Sequence, residues 1–514
     1  MKHPMIKRLA ACLLSALLLT GCGGQTAPPV ETEADSLVTP EEEIIQPTKT
    51  AFLPTAFALP YDPNLTLDPI TCRDGTQQVV SSLLYEGLFR LNSVFEPIPW
   101  LCSSYTYDED MLVYTLRLRS GVLFSDGTPL TAKDVEKSLD RARASVRYGS
   151  RLASIVRVYP ENDTTLTITL AEPNLGLPAL LDIPIVKNGT EKQLAPVGTG
   201  PYLFSNEEGS ACLTVNRGWW WGMELPVNEI SLVPAADQDA MLYRFTTHDV
   251  QLITSDLTGT GSISATGNIS FRDANTTVLQ YLGCNTERAP LNSAAFRRAL
   301  SAGINRTQIV SGFLSGHGKA AQFPVSPAAS LYPAALEEHY SYDNFAAALE
   351  KTGYTAQRPL TLLVNEENSF KITVAEYLTE NFSAAGVPME VRTLPWEEYL
   401  LALETGDFDL YYGEVKLSAD WDLSALLSGT GPLNYGRWVN AGIDDLLRSF
   451  ASATNRADAM AELCSFLRMH APILPLCFKS TSVLVQTGVV DGLEPTMTEP
   501  FYNFTDCTVH LATP

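Results

Sequence analysis

Residues 114–135 read YTLRLRSGVLFSDGTPLTAKDV, and three kinds of local structure follow one another within them. Leu112, Tyr114, Leu116 and Leu118 take every second place, as a strand with one buried face requires. Ser125-Asp126-Gly127-Thr128-Pro129 then reads as a turn, with glycine and proline where the chain reverses. Thr131 is placed as a helix N-cap with an acid, Asp134, three residues on, and Val135, Leu139 and Ala142 continue one apolar face. The unit is strand, turn, helix.

Outward from it, residues 165–170 (TLTITL) repeat the alternation of a half-buried strand. Towards the C-terminus the pattern turns helical. Phe296, Ala299, Leu300 and Ile304 form one apolar stripe, and Ile443, Leu446, Leu447 and Phe450 a second. Met460, Leu463, Cys464 and Leu467 form a third, which Pro472 ends. Each reads as a helix face packed on a core. Short β-like runs at 360–364, 389–393 and 408–412 alternate with these helices, which implies a mixed α/β lobe. No internal repeat is present.

A chain of 514 residues has room for two to four domains and large cores. Apolar residues make up 45% and charged residues 18%, the composition of globular material. The net charge of −23 argues against nucleic acid or an anionic membrane surface as partner, because both select basic patches. Six histidines leave little for a histidine-based metal centre.

Lys2, Lys7 and Arg8 precede an apolar stretch at 9–19, the charged and apolar parts of a secretory signal. It ends in Leu19-Thr20-Gly21-Cys22, which resembles the lipobox of bacterial lipoproteins; in them the cysteine is diacylated and the signal cleaved before it. Two acyl chains anchor a protein stably. Cleavage there removes three positive charges and leaves −26. It also leaves seven cysteines, an odd number, so at least one thiol stays unpaired within the chain. Residues 23–50, rich in Gly, Pro, Thr and acids, read as a disordered tether reaching roughly 30 Å as a flexible coil.

Catalytic patterns are not found: no G-x-S-x-G elbow, no H-E-x-x-H, no Walker-type loop and no C-x-x-C pair. Gly198-Thr199-Gly200-Pro201-Tyr202 lacks the lysine that would cradle a phosphate, and reads as a turn where two backbones pass closely. An enzyme is not expected.

The motifs also have an order. Leu67-Asp68-Pro69, then Leu84-Tyr85-Glu86-Gly87-Leu88-Phe89, then Pro99-Trp100-Leu101 precede the 114–135 segment. After it come the 198–202 turn, NRGWWWG at 216–222, Phe296-Arg297-Arg298-Ala299-Leu300, and Ala471-Pro472-Ile473-Leu474-Pro475-Leu476. Together, over residues 55 to 510, they resemble the family 5 solute-binding proteins. These are the extracytoplasmic receptors of ABC importers for oligopeptides, dipeptides and, in some branches, nickel complexes.

The resemblance implies an α/β, two-lobed periplasmic-binding-protein type II fold with an extra domain inserted in the N-terminal lobe. The expected division is a signal peptide at 1–21 and a lipidated cysteine with its tether at 22–50. Residues 51–66, 186–276 and 487–514 then make the N-terminal lobe, 67–185 the inserted domain and 277–486 the C-terminal lobe. Crossing strands are placed near 277–285 and 475–486. Ligand is enclosed between lobes by hinge closure. The implied partners are short peptides and membrane permease subunits with cytoplasmic ATPases, with a lipid anchor and no cofactor, metal or nucleic acid. A monomer is expected. Nickel complexes, oligosaccharide or another solute, and a surface sensory role, stay open as alternatives.

Peptide binders of this family pair an aspartate with the peptide's α-ammonium, and Asp420 in Ser418-Ala419-Asp420-Trp421-Asp422 matches that position. Trp396 matches a tryptophan lining the side-chain pocket, and Trp421 is carried as a further contact. The Gly-Trp that commonly precedes the aspartate is replaced here by Glu414-Val415-Lys416-Leu417. No motif supplies a basic residue for the ligand carboxylate; Lys416 and Arg437 are the candidates. Trp219-Trp220-Trp221 reads as packing under the turn between domains.

Overall fold

The computed structural model describes residues 53–256 and 268–512. Cys22, the signal stretch and the tether lie outside them. The 114–135 segment folds as its pattern dictates. Strand Val113–Leu118 buries Tyr114, Leu116 and Leu118, and helix Ala132–Ala144 follows. At its start Thr131 donates both its backbone N–H (3.0 Å) and its hydroxyl (2.6 Å) to the Asp134 carboxylate. Val135, Leu139 and Ala142 are fully buried against an antiparallel sheet ordered Cys102–Asp108, Val113–Leu118, Thr165–Leu170, Ile155–Asn162.

A second four-stranded sheet gathers distant segments. Ala58–Tyr61 runs parallel to Glu229–Pro234, with Ser210–Val215 and Tyr202–Glu207 added antiparallel. The 198–202 turn, which leads into the last of these strands, packs directly on the 83–85 segment. An ideal Cβ on Gly198 would lie 2.2 Å from the Leu84 carbonyl oxygen, and one on Gly200 2.5 Å from the Leu84 carbonyl carbon. Only glycine lets these backbones pass, and Gly200 N–H bonds the Leu84 carbonyl at 3.0 Å.

The third sheet has seven strands. Its spine is two long antiparallel strands, Ile269–Cys284 and Ile473–Gln486. The first begins earlier than the crossing placed from sequence, because residues 269–275 already pair with 480–486. The register slips between Asn275 and Leu279, where Thr276 and Thr277 donate their hydroxyls to the Lys479 and Leu417 carbonyls, each at 2.6 Å. Beyond this bulge Leu410–Lys416 joins, followed by parallel Leu360–Asn365 and Met389–Leu394. Helices Ser369–Ala384 and Trp396–Thr405 make the crossovers between these parallel strands. The strand expected at 408–412 starts at Leu410, since Asp409 is diverted into an ion pair with Arg358. Ile304 falls just past helix Ala294–Ala302 but is buried in the same core.

All seven cysteines of the described residues are free. Among the described residues no helix is long and apolar enough to cross a membrane.

Candidate functional site

A cleft of about 2110 Å³ opens beside the crossing strands. One part of its wall comes from residues 69–184, between helix Gly75–Ser81 and strand Pro184–Ile185; another comes from 415–456, and a third from 497–506. Asp420 and Lys416 both line it.

Asp420 follows strand Leu410–Lys416 and is buried at 4% exposure. One carboxylate oxygen accepts from the Ser418 hydroxyl (2.5 Å) and the Asp422 amide (3.3 Å). The other accepts from the Asn174 side-chain amide at 2.8 Å. Every donor to this carboxylate is neutral, because the nearby Arg456 guanidinium bonds the Asp420 backbone carbonyl instead. A second bond, Leu175 N–H to the Ala451 carbonyl at 2.8 Å, ties the same two walls.

Lys416 ends its strand opposite Val278. Its side chain reaches cleft water yet is hemmed in by protein, and burial lowers its pKa, with Arg147 and Arg151 adding repulsion and Asp182 opposing them. Arg147 is fixed by the Pro69 and Cys72 carbonyls (3.2 Å each) and by Gln78 (2.9 Å). Arg151 is paired with Asp182.

The other candidates are not in this cleft. Trp421 is 2% exposed in the core, edge-on to Phe95 at 5.3 Å and to Phe478 at 6.0 Å. Its left-handed φ of 59° turns the chain immediately after Asp420. Trp396 is 51% exposed, stacked on Tyr399 at 5.7 Å. Arg437 is spent on Glu287 (3.1 Å) and the Glu404 carbonyl (3.0 Å).

Sequence reasoning missed Arg147, Arg151 and Asn174; the density of arginines at 141–151 was the visible signal for the first two. It also missed what the tryptophans do. Glu86 is buried, and its carboxylate accepts from Trp100 (2.8 Å) and Trp219 (3.0 Å) on one oxygen. Trp220 (2.9 Å) and the Thr199 hydroxyl (2.7 Å) bond the other. Burial raises the Glu86 pKa, and these four hydrogen bonds pull against it. Arg90 over Trp100 (4.5 Å) and Arg119 over Trp220 (4.7 Å) supply positive charge one layer out.

The family described as bacterial extracellular solute-binding proteins, family 5 Middle, matches residues 96–434. Glutathione-binding protein GsiB of Escherichia coli O6:K15:H31 is 26% identical over 422 residues, 76% of this chain and 82% of that protein. Two solved structures share the fold. MppA, a periplasmic murein tripeptide binding protein in its unliganded open form, aligns with TM-score 0.74 and 20% identity over 89% of this chain and 98% of its own. A nickel ABC transporter protein of Bacillus halodurans aligns with TM-score 0.73 and 21% identity over 87% and 98%.

Proposed function

The chain belongs to the bacterial extracellular solute-binding proteins of family 5, and on that premise we propose that it captures short peptides in its cleft and delivers them to the permease of an ABC importer. The family is one of extracytoplasmic, substrate-binding transport proteins rather than enzymes. Relatives carry names for glutathione, a tripeptide and nickel, so the ligand class rests on this chain's own cleft.

The observation that carries the reading is the Asp420 carboxylate. It is buried beside a large cavity and met only by neutral donors. Arg456 lies beside Asp420 but bonds its carbonyl, so a peptide's α-ammonium would be the first charged donor to the carboxylate itself, a hydrogen bond worth about 1.5–3 kcal/mol. The cleft is ample for several residues, since drug-sized ligands fill roughly 300–1,000 Å³. The proposal also takes Cys22 as the diacylated anchor, on the LTGC motif.

The test is calorimetric titration with pooled peptides of two to six residues, free or N-acetylated. Binding of the free pool alone supports the reading. Binding of neither pool to folded, ligand-free protein overturns it.

A further inference from the structure

A hairpin rooted in one core reaches into another. Strands Phe89–Leu91 and Pro97–Pro99 pair antiparallel, and Phe89 is buried with Leu116, Leu118 and Leu139. The tip of the hairpin leaves that core. Phe95 is 4% exposed and packs in the core that holds Trp421 and Phe478, on the seven-stranded sheet. The tip is stiff. The Asn92 side-chain oxygen accepts from the Val94 (3.0 Å) and Glu96 (2.9 Å) amides, and the Asn92 carbonyl from Phe95 N–H at 3.0 Å. Asn275, where the register of the crossing strands begins to slip, donates its side-chain amide to the Ser93 carbonyl at 3.0 Å.

What the tip touches is the turn that carries Asp420. The residue after it, Trp421, meets the Phe95 ring edge-on, at 5.3 Å and 89°. The residue before it, Ala419, is buried in a small cluster with Leu91 and Ala179. The carboxylate between them accepts from Asn174. Three successive residues, 419–421, therefore each take a contact from the 91–179 stretch.

Phe95 and Trp421 also share a backbone property. Their φ angles are 64° and 59°, in the left-handed region that a bulky side chain enters at a cost and that is ordinarily left to glycine. Such backbone persists only where surrounding contacts over-determine it. Glycine would make the same hairpin turn without strain, so it is the ring that position 95 requires.

We infer that Phe95 is a positioning residue for the ligand anchor: by packing on Trp421 it fixes the Ser418–Asp422 turn and so aims the Asp420 carboxylate. The inference rests on the reading of Asp420 as the ligand's contact, and adds that this contact is set by a hairpin from another core. Phe95 does not itself line the cleft, so its effect on binding passes through the turn.

The purified protein is compared with Phe95→Ala and with Phe95→Leu, which keeps apolar bulk and carries the same test, with smaller shifts, if the alanine variant does not fold. Hydrogen exchange without ligand is the first readout. The Trp421 amide, bonded to the Ser418 carbonyl at 3.0 Å, and the Asp422 amide, bonded to the Asp420 carboxylate, report on the turn. Amides of strand Ser210–Val215 are the reference. Phe95→Ala should speed exchange at 421 and 422 by roughly 10-fold and leave the reference unchanged, with Phe95→Leu in between. Calorimetry with free and N-acetylated peptide pools is the second readout. Phe95→Ala should weaken the free pool roughly 10-fold and shrink the penalty for N-acetylation, which reports on Asp420; Phe95→Leu should recover most of both. If the wild type binds no peptide, the reading of Asp420 as an ammonium anchor falls, and exchange alone decides whether Phe95 fixes the turn. Exchange at 421 and 422 that is unchanged, or raised only as much as in the reference strand, overturns the inference. So does faster exchange with undiminished peptide binding, or an equal loss for the free and acetylated pools.

Discussion

The Asn174 side-chain amide donates to the Asp420 carboxylate at 2.8 Å, joining two walls of the cleft through residues far apart in sequence. An incoming ammonium competes for that same oxygen and replaces a neutral donor with a charged one. Asp420→Asn keeps an oxygen for Ser418 and Asp422 while removing the charge, so the turn should survive. Free peptides should then bind roughly 10- to 100-fold more weakly, the equivalent of about 1.5–3 kcal/mol. N-acetylated peptides should be indifferent. Equal losses in the two series, measured by titration calorimetry, would make Asp420 a purely structural turn residue.

Glu86 should resist its closest neutral replacement. In Glu86→Gln the new amide nitrogen must face indole N–H groups that have no acceptor left, so a buried donor goes unsatisfied. The expected loss is about 2–4 kcal/mol in denaturant unfolding. Wild-type fluorescence gives a second readout. Burial raises the Glu86 pKa, so the emission of Trp100, Trp219 and Trp220 should titrate with a midpoint above that of ordinary glutamate, about 4.3. Since the folded carboxyl holds its proton to higher pH than the unfolded one, its contribution to stability falls as pH rises between the two values. Emission that is flat across that range would show that the carboxylate does not change charge there.

What could be read in advance follows the range of the interactions. The 114–135 unit was legible because alternation, turn residues and the Thr131–Asp134 cap all act within a few positions. Asp420, singled out by the family resemblance, lines the cleft. Trp219 and Trp220 were read only as packing, because their polar role needs Glu86, Trp100 and Thr199, brought from three remote segments. Trp396, expected in a side-chain pocket, instead stacks half-exposed on Tyr399, one helical turn along its own helix. Nothing local tells a tryptophan which face of its helix the core will claim.

Asp409 offers a test of charge within the fold. Its carboxylate takes both Arg358 guanidinium nitrogens at 2.6 Å and the Thr361 amide at 2.9 Å. Burial pushes its pKa up, but the Arg358 hydrogen bonds, the Thr361 amide and the guanidinium charges prevail and hold it below the ordinary value. A depressed folded pKa contributes stability above the unfolded value, about 3.9, and loses it as pH falls through the folded one. Arg358 is half exposed, which screens the pair. Asp409→Asn should therefore cost about 2 kcal/mol at neutral pH. The gap between variant and wild type should close below about pH 4. A gap that is constant with pH would mean the loss is steric.

Gly198 sets how closely the 198–202 turn packs on the 83–85 segment and should be the least tolerant position named here. Its missing Cβ would stand 2.2 Å from the Leu84 carbonyl oxygen and 2.6 Å from the Tyr85 ring. The first of these is backbone, tied to Gly200 N–H at 3.0 Å, and so cannot swing aside as a side chain would. Relief requires the 198–202 turn to lift from Leu84. That movement also shifts Thr199 away from Glu86, because Thr199 lies between the two glycines. Gly198→Ala should thus cost more than about 3 kcal/mol, at the upper end of overpacking penalties. It should also red-shift the tryptophan emission, as the Glu86 cluster loosens. Gly218→Ala is the control: the only atom near its ideal Cβ is Asn216 Oδ1 at 3.5 Å, an ordinary contact. Near-equal melting temperatures for the two variants would show that the turn can yield without loss of its packing on Leu84.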